Sequence, residues 1–328
     1  MPRAWHLKSR PSGMPTEDNF ELKPVELPPL ADGQVRVKNL WLSVDPYMRG
    51  RMNDVKSYVP SFQVGEPMDG GAIGEVIESK AEGFQPGDLV QHMSGWRDEA
   101  VVPARIAQKL PDFGAPPELF LGILGVTGVT AYFGLLDVAS AKAGDVVFVS
   151  AAAGAVGSAV VQIAKAKGMT VIGSAGGAEK CEFVRSIGAD QVIDYKAGSI
   201  LKGLAAAAPD GIDVYFDNVG GDHLDAAFAV ARNNARFAIC GMIEGYNAKE
   251  PMSFRFIPRI IAARIQLKGF IIFDYFPRMS EFYGEMAPWV ANGTVKSRQT
   301  VVDGLENMPD AFLGLFKGEN VGKMLVKL

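Results

Sequence analysis

The chain has 328 residues, 48% of them hydrophobic and 21% charged, which suits two globular domains and excludes a small module, a fibre or a disordered segment. Thirty-three Lys and Arg against 37 Asp and Glu leave a formal charge of −4, so no global basic field draws nucleic acid or an anionic membrane, and any anion site must be local. Cys181 and Cys240 are the only cysteines; they supply neither a disulfide framework nor a four-thiolate zinc site, and point to free thiols in a reducing cytoplasm.

The opening MPRAWHLKSRPSGMP carries basic residues without an apolar stretch, so no secretory signal is expected and a cytoplasmic protein is the default. From Glu21 to about Leu110, short β-like runs separated by Pro and Gly (QVRVKNLWLSV, GGAIGEVIES, FQPGDLVQHM, EAVVPARIAQKL) predict an all-β segment. Beyond Pro116 the apolar strands DVVFVS, TVIGSA, DQVIDY, DVYFDNV, RFAICG and QLKGFII alternate with helical stretches such as Val156 to Lys167 and Lys180 to Ile187. That alternation predicts an α/β fold, with βαβ units and a parallel sheet covered on both faces. Two uncharged windows, Leu119 to Leu136 and Val146 to Ala164, approach the length of a membrane span. Both are broken by Gly and small polar residues, and read as strand, turn and buried helix. From about Thr294, SRQTVV and GKMLVKL flank the helix-like NMPDAFLGLFKG, so the last strand is expected to rejoin the N-terminal β domain. The domains read as 1–122 with 297–328, and 123–296.

In AAAGAVGSAVVQIAKAKG, Gly154 and Gly157 stand three apart after the strand VVFVS, with Ala152 at the first position of a G-x-G-x-x-G pattern. Here helix amides would face a pyrophosphate and glycine would let the backbone approach it; tight packing of helix on strand is the alternative reading. The second strand ends in Gly173-Ser174-Ala175-Gly176-Gly177 without the acid that would hold both ribose hydroxyls of NAD. Lys180 follows and Tyr195 ends the next strand-like run. A cation and a phenol could converge on a 2′-phosphate, which favours NADP, although a solvated surface lysine fits Lys180 as well. Glu179 beside it would weaken the field unless it points away.

His6, His92 and His223 are scattered, none in a spaced pair with another His or a Cys, so no metal site is expected and the histidines read as exposed or structurally satisfied. No G-x-S-x-G elbow occurs, and Cys181 reads as a small buried hydrophobe. A redox cofactor must then carry the chemistry, with a donor for the oxyanion that forms on the substrate. Tyr47 in SVDPYMRGRM and Tyr246 in GMIEGYN are expected in loops after apolar strands and suit that role. Half-buried tyrosines bonded to a backbone carbonyl are the other reading.

The ordered set LSVDPYMRGRM, GVTGVTAYFGLL, SAAAGAVGSAVVQIAKAKG, YFDNVGGDHLDAA, CGMIEGYN and NVGKMLVKL resembles the medium-chain dehydrogenase/reductase superfamily, in its zinc-independent branch of prostaglandin reductases and alkenal or alkenone double-bond reductases. The resemblance spans essentially the whole chain. It implies a GroES-like β-barrel substrate domain completed by the C-terminal segment, a Rossmann NADP-binding domain, an active site in the cleft between them, and a homodimer. It places Gly154, Val156 and Gly157 against the pyrophosphate, and Lys180 and Tyr195 at the 2′-phosphate of NADPH. Asn218 and Asn320 match positions near the cofactor, while Thr127 and Gly128 match the stretch near its nicotinamide end. Tyr246 matches a tyrosine beside the nicotinamide ribose and the substrate carbonyl, and Tyr47 one that lines the substrate pocket. Where zinc-dependent relatives carry Gly-His-Glu, this chain reads GEPMDGGAIG. The implied reaction is conjugate reduction of an enal or enone by NADPH. Quinone reduction on the same fold and a non-catalytic NADP-binding regulator are the alternatives.

Overall fold

Alternation in QVRVKN buries Val35, Val37 and Asn39 in the strand Gln34–Ser43 and turns Lys38 outward, the period of two that a half-buried strand demands. The computed structural model describes residues 1–328. Its first strands are β1 (Arg3–Leu7), β2 (Phe20–Pro24), β3 (Gln34–Ser43), β4 (Ala72–Ser79), β5 (Leu89–His92), β6 (Glu99–Pro103) and β7 (Gln108–Lys109), with a short helix α1 (Tyr47–Arg51) after β3. Next come α2 (Val126–Phe133), β8 (Val146–Val149), α3 (Ala155–Ala166), β9 (Thr170–Ala175), α4 (Ala178–Ser186) and β10 (Gln191–Asp194). They are followed by α5 (Ile200–Ala207), β11 (Ile212–Asp217), α6 (Gly221–Val230), β12 (Ala231–Ile239), α7 (Arg259–Ala263), β13 (Gln266–Gly269) and α8 (Met279–Ala291). The chain ends in β14 (Gln299–Asp303), α9 (Met308–Lys317) and β15 (Lys323–Lys327).

Two units result: Met1–Leu121 with Gln299–Leu328, and Gly122–Arg298. In the first, β14, β15, β3, β4, β5 and β7 follow one another across a sheet, and β6 also pairs with β3. The C-terminal strand β15 lies antiparallel to β3, with Val326 opposite Leu42. Trp96 anchors the apolar core, stacked on Phe20 and edge-on to Phe312, both with centroids 5.8 Å away. Each such ring, taken wholly out of water, contributes about 2–3 kcal/mol.

In the second unit the six strands run in the order β10-β9-β8-β11-β12-β13 and every pair is parallel. The order reverses between β8 and β11. Such a switch point opens a crevice at the strands' carboxyl ends, where doubly wound sheets take their ligands. Phe148 of β8 stacks on Tyr215 of β11 at 5.0 Å, and Phe237 of β12 meets Tyr215 edge-on at 5.4 Å.

Several boundaries differ from the sequence expectation. Strand β1 went unseen, because Arg-Ala-Trp-His-Leu is no apolar run; it is held antiparallel against β2. EAVVPARIAQKL divides after Pro103 into β6, a 3-10 turn Ala104–Ile106 and β7, since proline brings no amide to continue the ladder. The window Leu119 to Leu136 holds part of a 3-10 turn, α2 and the start of a π-helical turn, and Val146 to Ala164 is β8 followed by α3. No helix is long and apolar enough to cross a membrane.

Candidate functional site

After β8 the chain turns through Ser150-Ala151-Ala152-Ala153-Gly154 into α3. Ala151 takes the left-handed conformation at φ +48°, a cost of about 1–2 kcal/mol for a residue with a β carbon. The turn is held by the Ala152 amide donating to Ser174 of β9 at 2.9 Å and the Gly154 amide to Ala151 at 2.9 Å. Gly157 is buried beneath it, and a β carbon there would collide with the Ala151 carbonyl and stand 2.9 Å from Ala152 Cα. Gly154 is easier, with its nearest obstacle 3.2 Å away and an ordinary φ of −81°. So Gly157 is needed for helix packing, while Gly154 caps α3 with no side chain accepting from its amides. Val156 lies in the first turn of that helix, whose positive dipole end suits a phosphate.

Strand β9 ends at Ala175, and Gly176-Gly177 lead into α4 with Gly177 at φ +95°. The nearby carboxylate of Asp194 accepts the amides of Gly177 and Lys196, each at 2.9 Å; these bonds hold it below the usual carboxylate range. Lys180 is half-buried, and burial, then the charge of Lys196, lower its pKa against the opposing pull of Glu179. Glu179 itself reaches Arg298 at 2.9 Å. Tyr195, just past β10, is 41% exposed and meets His223 edge-on at 5.3 Å.

At the switch point, Asn218 follows β11 and ties back to the β8 turn: its amide donates to Ser150 Oγ at 2.9 Å and its Nδ2 to the Ser150 carbonyl at 2.8 Å. Asp217 lies wholly buried below. Its Oδ1 accepts from Tyr215 Oη at 2.6 Å, Val219 N at 2.9 Å, Gly220 N at 2.8 Å and Ser150 Oγ at 3.2 Å, while its Oδ2 has no partner. Desolvation pushes this carboxyl up. Ser150, Tyr215 and Asp217 escaped the sequence reading, although an acid closing an apolar strand was a visible signal.

Tyr246 caps a 3-10 turn, Ile243–Gly245, rather than riding an open loop. A β carbon on Gly241 would stand 3.1 Å from its Oη, and Gly241 in turn donates its amide to the Asp217 carbonyl at 3.1 Å. Thr127 and Gly128 are buried in the first turn of α2; Thr127 Oγ1 finds no partner, and a β carbon on Gly128 would run into the Ile123 carbonyl.

Tyr47 and Asn320 belong to the first unit. Tyr47 opens α1, a helical and not a loop position, and burial, then Asp45, push its phenol strongly up. Asp45 takes bonds from Ser43 and from the buried Lys323, 3.0 Å away, which also donates to the carbonyls of Val44 and Met324 at 2.8 and 3.0 Å. Asn320 Nδ2 donates to the Gly322 carbonyl at 2.8 Å.

All three histidines are buried. His92 Nδ1 accepts from the Ser94 amide at 3.1 Å. His223 corrects the expectation of an exposed or satisfied ring: neither nitrogen has a partner, because the ring is stacked over Phe148 and against Tyr195. No three His, Cys, Asp or Glu side chains converge as metal ligands would.

The close-approach turn, the uncapped start of α3, the acid-free end of β9, and the orphaned Thr127 hydroxyl fit a dinucleotide with a 2′-phosphate. The family described as the N-terminal domain of oxidoreductase matches residues 3–110, and that described as zinc-binding dehydrogenase matches residues 155–292. The chain is 43% identical to an NADPH-dependent curcumin reductase of Escherichia coli, over 99% of this chain and 96% of that one. It is 42% identical to an NADP-dependent 2-alkenal reductase of Nicotiana tabacum, over 98% and 95%. Among solved structures, CurA of Vibrio vulnificus in complex with NADPH superposes with a TM-score of 0.94 at 43% identity, covering 99% of this chain and 98% of that one. The chain belongs to the medium-chain dehydrogenase/reductase superfamily. Within it, the chain falls in the branch of prostaglandin reductases and 2-alkenal reductases.

Proposed function

We propose that this chain reduces the carbon–carbon double bond of α,β-unsaturated aldehydes or ketones, with NADPH as reductant. It is an NADP-dependent oxidoreductase of carbon–carbon double bonds. The observation that carries the finer reading is the likeness to a 2-alkenal reductase along nearly the whole chain, in a protein whose β9 ends at Ala175 and runs into Gly176-Gly177 with no acid to receive an unphosphorylated ribose.

When bound, NADPH would supply a hydride to the β carbon of the enone, and a proton from solvent would complete the reduction at the α carbon. Gly154 and Val156 hold the pyrophosphate against the start of α3, which Gly157 lets pack beneath the turn, and Lys180 and Tyr195 receive the 2′-phosphate. Asn218, fixed to Ser150, keeps the switch point open for the ribose, and Thr127 with Gly128 shape the nicotinamide end. Tyr246 donates from its hydroxyl to the carbonyl oxygen as charge gathers there; one such donor lowers the barrier by about 3 kcal/mol. The family resemblance alone gives Tyr47 a substrate role and Asn320 a cofactor role, and gives the first unit, to which both belong, the GroES-like part. The homodimer is supported by β13, an exposed strand at the edge of the parallel sheet, which presents unpaired backbone to a second copy.

Regiochemistry tests the reaction. With NADPH deuterated at the transferred position and an acyclic enone, deuterium should appear on the β carbon of a saturated ketone, read by NMR on rapidly trapped product. Label on the carbinol carbon of an allylic alcohol would make the protein a carbonyl reductase and overturn the proposal. A quinone run alongside a 2-alkenal under identical conditions separates quinone reduction.

A further inference from the structure

Lys196 stood outside the phosphate site read from the sequence, yet it gathers with Lys180 and Tyr195 about one turn. A β carbon on Gly176 would come within 2.7 Å of Tyr195 Oη and 3.0 Å of Lys196 Cε, so both side chains lie across the backbone that leaves β9. Asp194 fixes this arrangement. By accepting the amides of Gly177 and Lys196 at 2.9 Å each, it clasps the turn after β9 to the turn after β10.

The two ammonium groups are close enough for Lys196 to oppose protonation of Lys180. Nearby carboxylates only partly relieve that repulsion. Asp194 gives Oδ1 to the two backbone amides and its charge also acts on Lys196, while Glu179 pulls on Lys180 but shares its charge with Arg298 at 2.9 Å. Two cations held together beside a phenol hydroxyl, on glycine-lined backbone, are relieved most by a dianion with several acceptor oxygens.

We propose that Lys196 is a second cation for the cofactor's 2′-phosphate and a specificity-determining residue for NADPH over NADH. The inference rests on the NADPH reading above and adds a residue to it. Gly176 then has its own reason to be glycine, since a side chain there would push Tyr195 and Lys196 off the site.

Binding without turnover tests this. NADPH, NADH, adenosine 2′,5′-bisphosphate and AMP are titrated calorimetrically, at low salt, into the wild type, Lys180→Gln, Lys196→Gln, Lys196→Arg and, as a charge control, Lys202→Gln at an exposed position of α5. Lys196→Gln should weaken NADPH and the bisphosphate by about three- to fivefold, the scale of an exposed charge pair, and NADH and AMP by less than twofold. Lys196→Arg should restore most of the loss, Lys180→Gln should show a larger loss of the same pattern, and Lys202→Gln should change no affinity by as much as twofold. If Lys196→Gln matches Lys202→Gln, or weakens NADH and AMP as much as the phosphorylated pair, the assignment of Lys196 is overturned while that of Lys180 stands. A wild type that binds the bisphosphate no better than AMP removes the NADPH reading itself, and this inference with it.

Discussion

His223 carries the least comfortable side chain of the second unit, an imidazole with two unpartnered nitrogens between Phe148 and Tyr195. Burial, against the weaker pull of Asp222, lowers its pKa to about 4. The unfolded chain titrates near the ordinary 6.5, so between those values it binds the proton that the folded chain refuses. Stability therefore stays level above pH 6.5, falls as pH drops toward 4, and levels again below; the full loss is about 3 kcal/mol. His223→Phe keeps a ring against Phe148 and removes the titration. Denaturant unfolding at pH 7.5 and pH 4 should show the variant losing about 3 kcal/mol less than the wild type over that range. Parallel profiles would mean that the ring finds a proton partner in the folded protein. His92, also pushed down to about 4 by burial, keeps its own share of the acid loss in both proteins.

At the scale of elements, the β8–α3 junction separates two glycines that the sequence presents as equivalent. Gly157→Ala should force α3 off its turn and cost about 1–3 kcal/mol, as overpacking does, with weakened NADPH binding. Gly154→Ala, with 3.2 Å to its nearest neighbour, should stay within about 1 kcal/mol, the usual cost of losing a glycine cap. Thermal unfolding and cofactor titration of the pair decide it, and equal losses would contradict the packing argument. The Tyr246 turn is the other element with a sharp expectation. Tyr246→Phe preserves the ring and removes the hydroxyl that stands beside Gly241, so kcat should fall about tenfold or more with NADPH affinity near wild type. An unchanged kcat, where the chemical step limits the rate, would leave Tyr246 a packing residue. Local pattern made β8, α3 and β9 legible, because apolar runs and glycine punctuation are written within a few residues. The bonds that give these elements their shape were not legible: Ser150 to Asp217 spans 67 residues and Glu179 to Arg298 spans 119. Only folding makes them neighbours.

Across the whole molecule, the return of the chain to its first unit was legible in SRQTVV and GKMLVKL, whose extended texture interrupts the α/β rhythm, and β15 does pair with β3. Strand β1 was not, because Arg3 and His6 break it without a period of two and its partner β2 lies thirteen positions further on, Leu7 to Phe20. Metal dependence is likewise a property of the entire chain, since ligands could come from any part of it. Zinc needs three or four Cys, His or carboxylate donors on one centre. His6 Nδ1 lies 3.1 Å from the Ala4 carbonyl, His92 Nδ1 accepts a backbone amide, and His223 is walled in by rings. Cys181 is buried with Sγ directed at the Ala175 carbonyl, 3.8 Å away. These four side chains are thus spent separately, and no three His, Cys, Asp or Glu side chains converge elsewhere. Exhaustive dialysis against a chelator should leave enone-dependent NADPH oxidation intact, and elemental analysis should find well under one zinc per chain. Activity that vanishes with EDTA and returns with zinc would require a ligand set these side chains do not form, and would make a metal, not the proposed Tyr246 hydroxyl, the group that meets the oxyanion.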